Sequence, residues 1–143
     1  MRAWVIDVRG TPAAQGSKRA IRVGSRTLLI EQSKRVKPWR AAVGAAAIEA
    51  GCVPRDGDIE VRITIRLARP ANHYNSKGSL RSGLPIYPGR IDIDKAARAV
   101  LDALTGIAYK DDRQVCLLFA QRVWTDDADN EGALISVSFA PTP

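Results

Sequence analysis

The clearest pattern in the chain runs from residue 59 to 67, where Ile59, Val61, Ile63, Ile65 and Leu67 alternate with Glu60, Arg62, Thr64 and Arg66. Period-two alternation puts every apolar side chain on one face of an extended segment, so 58–67 is predicted as a strand with one buried face. Residues 4–9 alternate in the same way and predict an N-terminal strand. Residues 19–23 and 26–30 flank Gly24-Ser25 and predict a hairpin. Helical spacing appears twice. Trp39, Val43, Ala46, Ala47 and Ala50 recur at helical intervals between Ser33, a candidate cap, and Gly51, a candidate stop. Pro38 favours a helix that begins at that residue over one that runs through it. Ile93, Ala97, Val100, Leu101 and Leu104 form an apolar stripe that predicts a second helix over 93–105, ended by Gly106. Residues 114–124 and 133–139 are apolar-rich strands, and the acidic stretch 126–132 between them reads as a solvated hairpin turn. Residues 68–90 follow neither period. Pro70, Pro85, Pro88, Gly78, Gly83 and Gly89 break them up, which predicts a long, mobile, basic loop. The expected architecture is a single α+β domain over 1–143, with a mixed β-sheet and two main helices.

Composition narrows the class. At 143 residues, 45% hydrophobic and 26% charged, the chain suits one globular domain. No apolar run approaches the ~18 residues of a spanning helix, which excludes an integral helical membrane protein. The first residues read as a strand, not a signal peptide. Two cysteines without a CxxC pair and a single histidine leave zinc sites and a disulfide framework unsupported, so a reducing cytoplasm is expected.

Charge adds more. The net charge is +7, but residues 1–91 carry 17 Lys and Arg against 6 Asp and Glu, and residues 92–143 carry 5 against 9. A basic region attracts phosphates, whereas a carboxylate cluster beside it repels nucleic acid unless a cation neutralises it. This points to chemistry on nucleic acid, with a surface charge dipole as the plain alternative. Asp92-Ile93-Asp94 opens the second helix, and Asp111-Asp112 precedes a strand. Magnesium takes oxygen ligands, usually one or two carboxylates with waters and substrate phosphate, so Asp92, Asp94 and Asp112 could hold one ion. The same residues also suit helix capping and turn formation. Asp126, Asp127 and Asp129 lack EF-hand spacing and read as turn residues.

The run Asp92-Ile93-Asp94-Lys95-Ala96-Ala97-Arg98-Ala99-Val100-Leu101-Asp102-Ala103-Leu104, followed by Asp111-Asp112-Arg113-Gln114-Val115, resembles the RusA family of Holliday junction resolvases. Gly10-Thr11-Pro12 and Gln15-Gly16-Ser17-Lys18 resemble that family's N-terminal loop. The resemblance implies a Mg²⁺-dependent endodeoxyribonuclease, with Mn²⁺ as a possible substitute, that resolves four-way junctions in recombination and repair. It implies that Asp92, Asp94 and Asp112 are metal-binding catalytic carboxylates, with Asp111 as second choice. Arg98 stands where the family often has Lys. It keeps the charge but cannot give up a proton, so its expected role is electrostatic. Lys95 stands where Asn is common and could contact phosphate. Asp102 is expected to orient Arg98 through an i+4 pair. The family acts as homodimers on branched DNA, in the cytoplasm of a bacterium or a phage-infected host. The expected phosphate footprint is Lys18, Arg19, Arg22 and Arg26 with Arg69, Lys77, Arg81 and Lys95. Tyr74, Tyr87 and His73 could stack on bases, and Trp4, Trp39 and Trp124 are expected in the core. The rival reading is a non-catalytic junction- or single-strand-binding protein.

Overall fold

A computed structural model describes all residues except 1, 2, 17, 32 and 33, and the backbone alone of 18–21 and 28–31. The strands and helices in chain order are β1 (Trp4–Arg9), β2 (Lys18–Val23), β3 (Arg26–Glu31), α1 (Val36–Glu49), β4 (Ile59–Ala68), α2 (Ile93–Leu104), β5 (Val115–Thr125) and β6 (Gly132–Phe139). β2 and β3 form the hairpin expected around Gly24-Ser25. The other strands make one mixed sheet in the order β1-β6-β4-β5. β6 is antiparallel to both β1 and β4, while β5 is parallel to β4. The fold is α+β, as the patterning predicted.

β4 lies inside the sheet because its inner face is continuously apolar. Ile59, Val61, Ile63, Ile65 and Leu67 are all buried, and Ala133, Ile135 and Val137 of β6 stand beside three of them. Both helices cover this face, contributing Trp39, Val43 and Ala47 from α1 and Ala97, Val100 and Leu104 from α2. The parallel β4–β5 pair needs a long crossover, which the 69–92 segment and α2 supply.

Three details differ from the sequence expectations. The stretch 126–131 is not a hairpin turn, because β4 separates β5 from β6. Two apolar strands adjacent in sequence are not neighbours when a more deeply buried strand occupies the place between them. The acidic side chains of the link grip the end of β4 and the loop after it. Glu131 accepts from the Ala68 amide at 2.7 Å, and Asp126 accepts from Arg69 Nε at 3.0 Å. α1 begins at Val36, with Arg35 at its cap position, so Pro38 falls in the first turn, where its missing N–H costs nothing. Ser33 lies outside the described residues. Of the tryptophans, Trp39 is buried, whereas Trp4 and Trp124 are only partly buried, packed against the core.

The 68–90 segment is irregular, but it carries its own bonds. Tyr74 donates to Asp126, Arg81 Nε donates to the Asn72 carbonyl, and Asn75 Oδ1 accepts from the amides of Lys77 and Ser79. Trp124 Nε1 donates to the Pro85 carbonyl, and His73 meets the Trp124 ring edge-on at 5.0 Å.

Tyr109 closes the lower end of the core. Gly106 turns the chain out of α2 at φ +83°, a backbone shape that favours glycine, and returns it to Tyr109, whose ring is fully buried. The hydroxyl donates to the Leu101 carbonyl at 2.7 Å. Burial pushes this phenol well above its ordinary range. A raised folded-state value means the neutral form stabilises the fold below about pH 10, and this contribution is lost as pH rises above that. Tyr109→Phe should therefore cost about 0.5–1.5 kcal/mol at neutral pH, the net worth of one hydrogen bond. It should also flatten the alkaline fall in stability. Urea melts of both proteins at neutral pH and above pH 10 check this, and parallel alkaline curves would contradict it.

Candidate active site

α2 starts where the chain leaves the long loop. Asp92 sits at its cap position and Asp94 in its first turn, where a negative charge suits the helix dipole. Arg122 of β5 donates to the Ile91 carbonyl and so ties this entry to the sheet. One turn along, Arg98 projects from the exposed side of α2 and Nη1 lies 3.9 Å from Asp112 Oδ2. Asp112 comes from the short 3₁₀ turn Asp112–Gln114 just before β5.

That turn shows why two adjacent aspartates do different work. Asp111 caps it: its side chain accepts from the Arg113 amide at 2.9 Å and pairs with the Arg113 guanidinium at 3.2 Å. The Arg113 amide and guanidinium hold the Asp111 carboxyl below the usual carboxylate range. Gln114 completes the box by accepting from the amides of Lys110 and Asp111 and donating to the Arg55 and Gly57 carbonyls. Asp111 is thus turned toward Arg113, while Asp112 lines a cleft of about 700 Å³ with Asp94, Lys95, Arg98 and Gln15.

Asp92 faces an adjoining cleft, where it pairs with Lys95 at 3.5 Å. Among the described residues, no group of three or more His, Cys, Asp or Glu is close enough to hold a metal ion as it stands. The donor chemistry nonetheless suits a hard cation. Asp94 and Asp112 present carboxylate oxygens to one open cleft, and magnesium needs only one or two carboxylates when water and phosphate oxygens fill the other positions.

Asp102 does not orient Arg98. It lies 3.9 Å from Arg40 of α1, which also donates to Gln15 Oε1 at 3.2 Å. Two turns of α2 separate Asp94 from Asp102, and at that height the neighbouring helix supplies the nearer cation. Arg98 is thereby left to Asp112. Arg40 also matters to the site, because it links the helix pair to the N-terminal loop. The Gln15 amide donates to the Lys95 carbonyl at 3.0 Å, fixing that loop over the start of α2. Gln15, Arg40 and Arg122 had no role expected from the sequence. Gln15 stood inside the quoted N-terminal loop motif, and that was the available signal.

The basic residues divide. Arg22 and Arg26 are exposed on the β2–β3 hairpin, and Lys77 and Arg81 on the long loop. The side chains of Lys18 and Arg19 lie outside the described residues. Arg69 is committed elsewhere: its guanidinium pairs with Asp126 and lies 5.5 Å from the Trp124 ring centre. Of the candidate stacking aromatics, Tyr74 and His73 are engaged with Asp126 and Trp124, while Tyr87 is 61% exposed.

No helix among the described residues is long and apolar enough to cross a membrane. A comparison with curated proteins finds no match. The family model described as endodeoxyribonuclease RusA matches residues 9–132, from the end of β1 to the first residue of β6. That span takes in the N-terminal loop, both clefts and every carboxylate described above, so the chain belongs to the RusA family of crossover junction endodeoxyribonucleases, the Holliday junction resolvases.

Proposed function

We propose that this protein resolves four-way DNA junctions by paired, Mg²⁺-dependent nicks, working as a homodimer in the cytoplasm. The observation that carries the reading is the cleft in which Asp94 and Asp112, from separate elements, meet Arg98 and Lys95. In this reading Asp92, Asp94 and Asp112 hold the ion, and Mn²⁺ is an acceptable replacement. A cation held there would supply an activated water and offset phosphate charge. The chain's own groups do the rest. Arg98 approaches the scissile phosphate from α2 and stabilises the charge that builds on its oxygens. A guanidinium stays protonated, so it acts by charge alone. Lys95 offers a second positive charge at the same wall. Two sites related by a two-fold axis suit a two-fold junction. The exposed cations of the hairpin and long loop position the arms.

The direct test is incubation of purified protein with a labelled four-way junction and a matched linear duplex, with Mg²⁺ or with chelator. Nicked junction in Mg²⁺ alone, with the duplex spared, is expected. Binding without nicking in any divalent metal would favour the non-catalytic reading.

Roles among the cations separate by kinetics. Arg98→Ala should lower the nicking rate by about 10²-fold, the scale for losing one charge-stabilising group, with little change in junction affinity. Neutralising Lys18, Arg19 and Arg22 together should instead weaken binding and flatten its salt dependence, by about one unit of slope for each phosphate no longer neutralised. Gel-shift titrations at several salt concentrations, run beside single-turnover nicking, distinguish the two. A reversed pattern would overturn the assignment.

A further inference from the structure

The N-terminal loop, the start of α1 and the entry to α2 enclose a second cleft of about 540 Å³. Lys95 lines both it and the Asp94–Asp112 cleft, so the two adjoin. Thr11 and Arg35 are shared in turn with a third cleft of about 480 Å³ beside Pro38 and Trp39. The second cleft thus borders the Asp94–Asp112 cleft at Lys95 and the third cleft at Thr11 and Arg35.

The second cleft has an apolar floor of Leu67 and Ile91 and two guanidinium groups in its wall, Arg35 and Arg90. Arg35 is exposed, and its side chain makes no hydrogen bond or ion pair among the described residues. Arg90 is held from behind: Nη2 donates to the Ala68 carbonyl at 3.4 Å and to Glu131 at 3.3 Å. Its Nε and Nη1 have no partner among the described residues. One guanidinium is thus pre-positioned, the other is unengaged, and both residues line the cleft together with Asp92. An anionic chain with an apolar sugar between its charges matches that lining, since guanidinium takes phosphate oxygens in pairs.

We infer that the second cleft is a subsite for the DNA strand beside the scissile bond, in which Arg35 and Arg90 hold the adjoining phosphate and the deoxyribose lies over Leu67 and Ile91. The inference rests on the proposed function, because it takes the Asp94–Asp112 cleft as the place of cleavage. It sets the path of the strand, out of the acidic cleft past Lys95 toward the start of α1. It also gives Arg35 and Arg90 a part in placing the bond to be cut.

The test pairs protein variants with altered DNA. Junctions are made with a single neutral methylphosphonate at each of the two positions on either side of the scissile phosphate. Wild-type protein should lose affinity with the substitution at one of these positions. Arg35→Gln should bind the unmodified junction more weakly, with a salt slope lower by about one unit, and should lose nothing further when that same phosphate is neutral. Arg90→Gln should behave alike, and Arg35→Gln should melt at the wild-type temperature, since its side chain supports no contact in the fold. If wild-type protein nicks junctions but Arg35→Gln keeps the wild-type affinity, salt slope and methylphosphonate sensitivity, the subsite is wrong and the active site stands. If wild-type protein neither nicks nor prefers junctions, the functional reading fails and takes the subsite with it.

Discussion

Asp94→Asn and Asp112→Asn should each cut junction nicking by at least about 10²–10³-fold while leaving junction affinity unchanged or higher. The size of the loss follows from weakening the hold on the cation that offsets charge building on the phosphate, which is on the order of losing one preorganised stabilising group. An amide is a poorer ligand for a hard cation than a carboxylate. It also removes a negative charge from the path of a phosphate, so binding should not weaken. Asp112 already faces Arg98 at 3.9 Å, and both carboxylates line one cleft. Asp111→Asn is the internal control. Asp111 is spent on Arg113 and on capping its turn, so the variant should retain most of its nicking and lose some local stability. Single-turnover nicking together with gel-shift affinity reads both quantities. Loss of activity in Asp111→Asn with normal nicking by Asp112→Asn would exchange the two roles.

The largest stability effect should come from a residue that has no side chain. Gly132 opens β6 at φ +152°, and a Cβ placed there would lie 1.8 Å from the Val8 carbonyl oxygen and 2.8 Å from its carbon. Both atoms are backbone, so no side-chain rotation relieves the overlap. Gly132 pairs with Arg9 on one side and Arg66 on the other, so relief requires β1 to separate from β6 at that end. β1 contributes Ile6 and Val8 to the core, both fully or nearly fully buried. Gly132→Ala should therefore fall in the exceptional class of single substitutions, above about 4 kcal/mol. β1 also leads directly into the loop that carries Gln15, so any residual folded protein should nick poorly. Urea denaturation with a fluorescence readout checks this. A cost below about 1 kcal/mol would mean the two strands do not approach so closely.

These residues also show what was legible in the sequence. The alternation of β4 and the stripe of α2 could be read directly, because each is a local period that burial enforces on one face. The Asp-Asp-x-Gln capping box is local too, and its atoms lie within a few residues of one another. Strand order is not local. Period two says which face of β6 is buried, but not that it lies between β1 and β4, so the stretch 126–132 reads as a hairpin turn. Asp102 was misjudged for the same reason: a cation at i−4 was visible in the sequence, whereas Arg40 reaches it only once α1 packs on α2. Gly132 gave no warning, since the need for glycine comes from the Val8 carbonyl of another strand. For the site, the Asp92–Asp94 and Asp111–Asp112 pairs could be found from sequence. The docking of the N-terminal loop on the start of α2, through the Gln15 amide and Arg40, could not, although the loop motif that holds Gln15 was visible.

In the proposed function the Asp94–Asp112 cleft cuts branched DNA in a structure-selective way. Strand-by-strand mapping of cleavage on a four-way junction, with each strand end-labelled in turn, tests it most directly. Nicks are expected at matching positions on two opposed strands near the crossover, in Mg²⁺, with both lost together in Asp112→Asn. Nicks scattered along the duplex arms, or a pattern unchanged by Asp112→Asn, would contradict it.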